Sequence, residues 1–170
     1  MRPPHHVLLV AFDGFQLLDL AGPVEVLRSA TRLGADPPYA TRVAAPGRRV
    51  RSESGVALAA DTSLGTVAAD ATPIDTLVVV GGQGTRAARD DRAFLADLAT
   101  VAERAGRVTS VCTGAWLLAA AGLLDGYAST THWSKSARLR SWLRRSRLKP
   151  PRFWVLMPRS SSRTFCFRWK

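Results

Sequence analysis

The residue best suited to chemistry is Cys112, which follows a short predicted strand at residues 107–111 and precedes Thr113, Gly114 and an apolar run. A strand that ends at a cysteine and turns sharply into a helix has the form of a nucleophile elbow. The N–H groups and the dipole at the start of that helix favour the thiolate over the thiol and stabilise a developing anion. The alternative interpretation is an inert buried cysteine.

A carboxylate in an apolar segment is the second candidate. Asp19 lies within Leu17-Leu18-Asp19-Leu20, where a carboxylate is costly unless it is paired or caps a helix. If the first strand and the Cys112 strand are neighbours in a sheet, Asp19 stands beside the thiol as a proton donor or acceptor. Glu25 is the competing carboxylate, and we interpret it as part of the helix surface.

Two further groups complete the candidate site. Residues 81–84 read Gly-Gly-Gln-Gly without the Lys-Ser/Thr of a phosphate loop. We expect Gly81 and Gly82 to approach the thiol closely, with a glycine N–H as a second oxyanion donor. His132, 20 residues after Cys112, either completes the site or packs against it. The other histidines, at positions 5 and 6, have no further ligand nearby, so no metal and no cofactor are predicted.

The elements that must position these residues alternate between strands and helices. Such alternation predicts an α/β fold with a parallel sheet and helices on both faces, and ligands bind at the carboxyl ends of its strands. The predicted elements are a strand at residues 7–12, a helix to about 31, a strand at 39–45, a hairpin within 49–62, a strand at 76–80, a helix at 92–105, a strand at 107–111 and a helix at 115–121 closed by Gly122.

Composition limits the protein class. The chain has 170 residues, of which 46% are hydrophobic, so one globular domain with a core is expected. Its two cysteines, Cys112 and Cys166, are too few for a disulfide framework or a zinc cluster, which favours a reducing cytoplasm. The longest later apolar stretch, residues 115–124, is about half of the roughly 20 residues that span a bilayer. The sequence therefore predicts a cytoplasmic protein with no membrane partner.

Several motifs in one order resemble the PfpI superfamily, the class I glutamine amidotransferase-like domains with a flavodoxin-like fold. The resemblance covers about residues 6–140, and we assign residues 1–140 to this domain. The motifs are LLDLAGPVEV at residues 17–26, VGG at 80–82, TSVCTG at 109–114, AAGLLDG at 120–126 and TTHW at 130–133.

Two groups of this superfamily carry the whole motif set. One is the ligand-sensing N-terminal domain of AraC-type transcription regulators, and the other is isonitrile hydratase, which adds water to an isonitrile to give an N-substituted formamide. The resemblance to the hydratase implies that Asp19, Cys112 and Thr113 are catalytic. The thiolate would attack the isonitrile carbon, Asp19 would handle the proton, and Thr113 would orient water or substrate. Thr113 stands where the peptidase-like group usually has His, which disfavours peptidase activity.

We favour the regulator over the enzyme, because residues 12–19 and 41–64 are more like the regulator group. The resemblance then implies a small-molecule ligand in a pocket that includes Gly81, Gly82 and His132. It also implies a homodimer. DNA would be bound only through a C-terminal helix-turn-helix domain that is missing from this sequence.

The tail, residues 141–170, departs from the family pattern. Residues 1–133 hold 12 Lys and Arg and all 13 Asp and Glu, whereas residues 134–170 hold 12 Lys and Arg and no acid. One interpretation is a basic arm that contacts nucleic acid. We favour a second, an altered reading frame near residue 140. Because no counterpart of the closing strands is found there, we expect a sheet that lacks its C-terminal strands and has an exposed edge.

Overall fold

The computed structural model describes residues 2–125, 127–129, 131, 147–148 and 164–167. The strands in these residues are β1 (His5–Val10), β2 (Tyr39–Ala45), β3 (Arg49–Arg51), β4 (Ala57–Ala59), β5 (Thr62–Ser63), β6 (Thr76–Val79), β7 (Arg107–Val111), β8 (Ala128–Ser129), β9 (Arg147–Leu148) and β10 (Thr164–Phe167). The helices are α1 (Leu17–Arg32), α2 (Leu64–Ala69), α3 (Thr85–Asp90), α4 (Arg92–Arg104) and α5 (Ala115–Ala120), with a 3-10 turn at Cys112–Gly114.

The main sheet is parallel and has the order β10-β7-β6-β1-β2-β5. Its central strands β1 and β6 are apolar on both faces at residues 7–10 and 77–79, and Leu9, Val10, Leu77 and Val79 are fully buried. Continuous apolar runs are typical of strands that helices cover on both sides. Because all strands run the same way, the loops that follow β1, β6 and β7 meet at one edge of the sheet.

The predicted flavodoxin-like α/β fold is confirmed. β2 and β7 have the predicted bounds, and β3 and β4 form the predicted antiparallel hairpin with Val50 opposite Leu58. Gly122 closes α5 as expected: its φ is +74°, and the N–H of Leu123 donates to the carbonyl of Leu118 at 2.9 Å. The short helices α2 and α3 were not predicted, because six residues are too few to show a helical period.

The tail contributes one strand, β10, to the main sheet. β10 pairs in parallel with β7, with Phe165 opposite Thr109, so this edge of β7 is hydrogen bonded where an open edge was expected. The sequence Thr-Phe-Cys-Phe of residues 164–167 is β-branched and aromatic, which favours a strand. The outer edge of β7 offers it a row of N–H and C=O partners.

The hairpin of β3 and β4 packs on the loop that follows β1. The N–H of Gly14 donates to the carbonyl of Arg51 at 2.7 Å, and the N–H of Arg51 donates to Asp13 Oδ1 at 2.7 Å. The N–H of Glu53 donates to the carbonyl of Phe15 at 2.8 Å. Three backbone donors therefore fix the hairpin beside the start of α1, the helix that carries Asp19.

Candidate ligand site at Cys112

Cys112 lies in the turn between β7 and α5. Its φ is +55°, and no other non-glycine residue in the described part of the chain has a positive φ. The left-handed region costs an L-residue about 1–2 kcal/mol, and such strain is characteristic of functional turns. Gly114 lets the turn press against β6, since a Cβ there would lie 2.2 Å from the carbonyl oxygen of Val79. The backbone confirms the predicted elbow.

Asp19 reaches this elbow although β1, the strand that precedes it, is not a neighbour of β7. β6 lies between β1 and β7, so the direct adjacency considered from the sequence is not the arrangement found. The carboxylate spans the gap from the first turn of α1, where Asp19 Oδ2 accepts a hydrogen bond of 3.2 Å from the N–H of Gly81. A Cβ at position 81 would lie 2.9 Å from that oxygen and 2.6 Å from the N of Thr113. Only glycine leaves room for both neighbours.

Gly82 holds the side chain of Thr113. The N–H of Gly82 donates to Thr113 Oγ1 at 2.9 Å, and the Thr113 hydroxyl lies 3.2 Å from the carbonyl oxygen of Gly82. The φ of Gly82 is +140°, and a Cβ there would lie 2.4 Å from the carbonyl oxygen of Gly14. The N–H groups of Gly81 and Gly82 thus bind side chains of this site, and the role of a glycine N–H as an oxyanion donor stays a prediction.

The pKa of the Cys112 thiol is raised, contrary to the predicted thiolate. Burial, first, and then the charge and the hydrogen bond of Asp19 raise it from 9.0 to about 11. Hydrogen bonds from the backbone and side chain of Thr113 lower the pKa, as expected at the start of a helix, but they are outweighed. The thiol of this half-buried residue is therefore protonated at neutral pH.

The structure thus brings together five of the six predicted site residues: Asp19, Gly81, Gly82, Cys112 and Thr113. The sixth, His132, lies outside the described residues. No three His, Cys, Asp or Glu side chains in the described part of the chain lie close enough to hold a metal ion.

Two further hydroxyl residues of the site were not predicted from the sequence. Thr85 Oγ1 donates to the carbonyl of Gly82 at 2.7 Å and lies 3.0 Å from Thr113 Oγ1. Thr131 Oγ1 donates to the carbonyl of Cys112 at 3.0 Å. Thr85 could have been noticed as the first residue after the glycine loop, whereas the contact of Thr131 joins residues 19 positions apart and leaves no local signal.

The glycine loop is also tied to the β3–β4 hairpin. Glu53 Oε2 accepts a hydrogen bond of 2.7 Å from the N–H of Gln83, and Oε1 accepts one of 2.9 Å from Gln16 Nε2. The N–H of Gln16 in turn donates to the carbonyl of Gly81 at 2.8 Å. The site is therefore held by three segments: the start of α1, the glycine loop and the hairpin.

The arrangement brings together a thiol, a carboxylate and the hydroxyl groups of Thr85, Thr113 and Thr131. These groups lie at the carboxyl ends of parallel strands, where open α/β sheets bind ligands. A flavodoxin-like sheet with a cysteine elbow, a carboxylate from the first helix and a glycine loop between them defines a class I glutamine amidotransferase-like domain. The chain belongs to the DJ-1/PfpI family, whose profile matches residues 5–146. This confirms the resemblance found in the sequence.

Three relatives illustrate the range of the family. A Streptomyces lividans protein of the cpoL 5′ region is 48% identical over 136 residues, which are 80% of this chain and 93% of that protein. The HTH-type transcriptional regulator GbdR of Pseudomonas aeruginosa is 36% identical over 133 residues, 78% of this chain and 35% of the regulator. Isonitrile hydratase of Pseudomonas putida is 36% identical over 123 residues, 72% of this chain and 50% of the enzyme.

The chain therefore spans about a third of the regulator and half of the hydratase. Among solved structures, an AraC family transcriptional regulator from Pseudomonas putida superposes with a TM-score of 0.72 at 25% identity, over 96% of this chain and 83% of that one. DJ-1beta of Drosophila melanogaster gives a TM-score of 0.77 at 23% identity, over 97% and 83% of the two chains, a likeness of fold alone. No helix in the described residues is long and apolar enough to cross a membrane.

Proposed function

We propose that this domain is the ligand-sensing part of an AraC-type transcription regulator. It binds a small molecule at the Cys112 site, and a separate helix-turn-helix domain binds DNA. The observation that carries the proposal is the likeness to regulators: GbdR is 36% identical over 78% of this chain, and an AraC family structure matches 96% of it. The homodimer that the sequence resemblance implies belongs to the same proposal.

The chemistry of the site supports binding rather than turnover. A thiol with a pKa of about 11 is almost entirely protonated at neutral pH, and the thiolate is the nucleophilic form. Thr113, which would orient water in an enzyme, instead bonds with Gly82 and Thr85. These groups favour a ligand that forms hydrogen bonds with the site without being attacked by it.

The second candidate is an isonitrile hydratase. It is favoured by 36% identity to that enzyme and by the contact of Asp19 with the thiol of Cys112. In this reaction the sulfur bonds to the isonitrile carbon, which takes up a proton. Water then adds to that carbon and displaces the thiol, leaving an N-substituted formamide. Asp19 would move the proton in both steps.

One experiment separates the two candidates. The protein is incubated with cyclohexyl isonitrile at pH 8, and N-cyclohexylformamide is measured by NMR against Cys112→Ala. Under the sensing proposal, both proteins form only the background amount of formamide. Formamide that requires Cys112 would overturn the proposal in favour of the hydratase.

Ligand binding is tested directly by thermal unfolding against a panel of small amines, amino acids and carboxylic acids. A ligand at 100 times its Kd stabilises the folded state by about 2.7 kcal/mol, which is roughly 5–10 °C for a chain of this size. We expect at least one compound to raise the Tm of the wild type but not that of Asp19→Asn. Compounds that act equally on both proteins, or none that act, would contradict a ligand site at Asp19.

The tail is tested on the gene. The altered frame near residue 140 stays a prediction, and translating all three frames beyond codon 140 checks it. Paired helix-turn-helix units in another frame are the expected result. A frame that supplies only closing strands and then stops would favour the hydratase. If no frame restores the family pattern, the basic tail is genuine and is tested for nucleic-acid binding.

A further inference from the structure

Glu53 is the charged side chain that joins the β3–β4 hairpin to the glycine loop, residues 81–84. Its two carboxylate oxygens accept from different segments, Oε2 from the N–H of Gln83 at 2.7 Å and Oε1 from Gln16 Nε2 at 2.9 Å. Hydrogen bonds to an ionised acceptor are about twice as strong as those between neutral groups. Glu53 thus connects the start of α1 with the glycine loop.

The glycines of the loop that Glu53 binds donate hydrogen bonds to the carboxylate and the hydroxyl of the site. Gly82, next to Gln83, donates to the Thr113 hydroxyl at 2.9 Å, and Gly81 donates to the Asp19 carboxylate at 3.2 Å. A displacement of the loop would loosen both donors at once and admit water to the thiol. We propose that Glu53 is a positioning residue for the Cys112 site, which it serves by fixing the glycine loop that orients Asp19 and Thr113.

The hairpin itself stays attached without this carboxylate. The N–H of Gly14 donates to the carbonyl of Arg51 at 2.7 Å, and the N–H of Glu53 donates to the carbonyl of Phe15 at 2.8 Å. Both bonds use backbone atoms only. Side-chain substitutions at position 53 therefore leave the fold in place and change the hold on the loop.

The pH profile of Cys112 alkylation tests the proposal. Iodoacetamide reacts with the thiolate, and peptide-resolved mass spectrometry follows Cys112 separately from Cys166. Burial is the largest cause of the raised pKa of Cys112, so a loosened, wetter site lowers it. Each unit by which the pKa falls increases alkylation at pH 8 about tenfold. We expect increases of at least roughly threefold in Glu53→Gln and in Glu53→Asp.

The two variants distinguish positioning from simple charge. Glu53→Gln keeps the length but offers one carbonyl oxygen in place of two acceptor oxygens, whereas Glu53→Asp keeps the charge but is too short to reach both donors. Gln16→Ala removes the other half of the bridge and is expected to give a smaller increase. Glu103→Gln, which removes an exposed carboxylate on α4, is the matched control and should follow the wild type.

Two outcomes would overturn the proposal. If Glu53→Asp follows the wild type while Glu53→Gln does not, Glu53 acts through its charge alone. If neither variant changes the profile while circular dichroism shows an intact fold, Glu53 has no hold on the site. The proposal rests on the proposed function only in taking the Cys112 cluster as the ligand site. Because the assay contains no ligand, its result stands apart from success or failure in finding one.

Discussion

Replacing Asp19 by Asn should lower the pKa of the Cys112 thiol. Burial is the largest cause that raises this pKa from 9.0 to about 11, and the charge of Asp19 and its hydrogen bond are the others. Asn removes the charge and leaves the burial in place. The pKa of the variant is therefore expected between these two limits. A fall of one unit corresponds to about 1.4 kcal/mol and to a tenfold larger thiolate fraction at pH 8.

The assay is alkylation by iodoacetamide between pH 7 and 11, followed on the peptide that contains Cys112. Glu25→Gln is the matched control, because Glu25 is an exposed carboxylate on the same helix as Asp19. We expect the midpoint of the profile to fall in Asp19→Asn and to stay unchanged in Glu25→Gln. A profile for Asp19→Asn that coincides with the wild type would refute the contact between carboxylate and thiol. Equal shifts in both variants would show that only long-range charge matters.

Three further predictions concern stability and are measured by urea unfolding. Cys112→Gly should be more stable than Cys112→Ala by about 1 kcal/mol, because glycine tolerates the φ of +55° at this turn; an alanine variant of equal or greater stability would contradict strain at the elbow. Gly81→Ala should cost about 1–3 kcal/mol, since its Cβ would lie 2.6 Å from the N of Thr113, whereas Gly22→Ala, with nothing within 4 Å, should stabilise α1 by up to about 1 kcal/mol. The reverse order would refute the close packing of the glycine loop. Finally, the Cys112 thiol has a pKa of about 11 in the folded protein and near 9.0 in the unfolded chain. The unfolded chain therefore loses this proton first, and the wild type should lose stability relative to Cys112→Ala as the pH rises from 9 to 11. The full linkage would be about 2.7 kcal/mol, and partial exposure of the thiol reduces it to on the order of 1 kcal/mol; a constant difference across this range would contradict the raised pKa.

Local patterns were sufficient to predict most of the fold. The apolar runs of β1 and β6 are visible in the sequence because both faces of each strand are buried, and Gly122 marks the end of α5 because few other residues adopt its φ of +74°. The elbow at Cys112 was also predictable from a local pattern. The residues that define it, the end of a strand, a cysteine and a glycine two positions later, are neighbours in the sequence.

The parts that were not predicted depend on residues far apart in sequence. Asp19 and Gly81 are 62 positions apart, and Gly82 and Thr113 are 31 apart. No local pattern therefore shows that β6 lies between β1, which precedes Asp19, and β7, which precedes Thr113. The sign of the pKa shift of Cys112 follows from the same contacts. The helix start lowers the pKa as expected from the sequence, but burial and the distant Asp19 outweigh it. Likewise, Glu53 reaches the loop across 30 positions.

Under the proposed function, the hydrogen bonds of the glycine loop determine what a bound ligand would have to displace. The N–H groups of Gly81 and Gly82 already bind Asp19 and Thr113, so a ligand acceptor that takes either donor must displace the side chain that holds it. Asp19 also raises the pKa of the thiol, and Gln83 in the same loop is bound by the hairpin through Glu53. Binding in the site would therefore exchange hydrogen bonds within the protein for hydrogen bonds to the ligand. It would also alter the contact between the glycine loop and the β3–β4 hairpin, which runs from Gln83 to Glu53. A ligand that binds one arrangement of this loop better than the other shifts the population between them, and such a shift is what a regulator has to transmit.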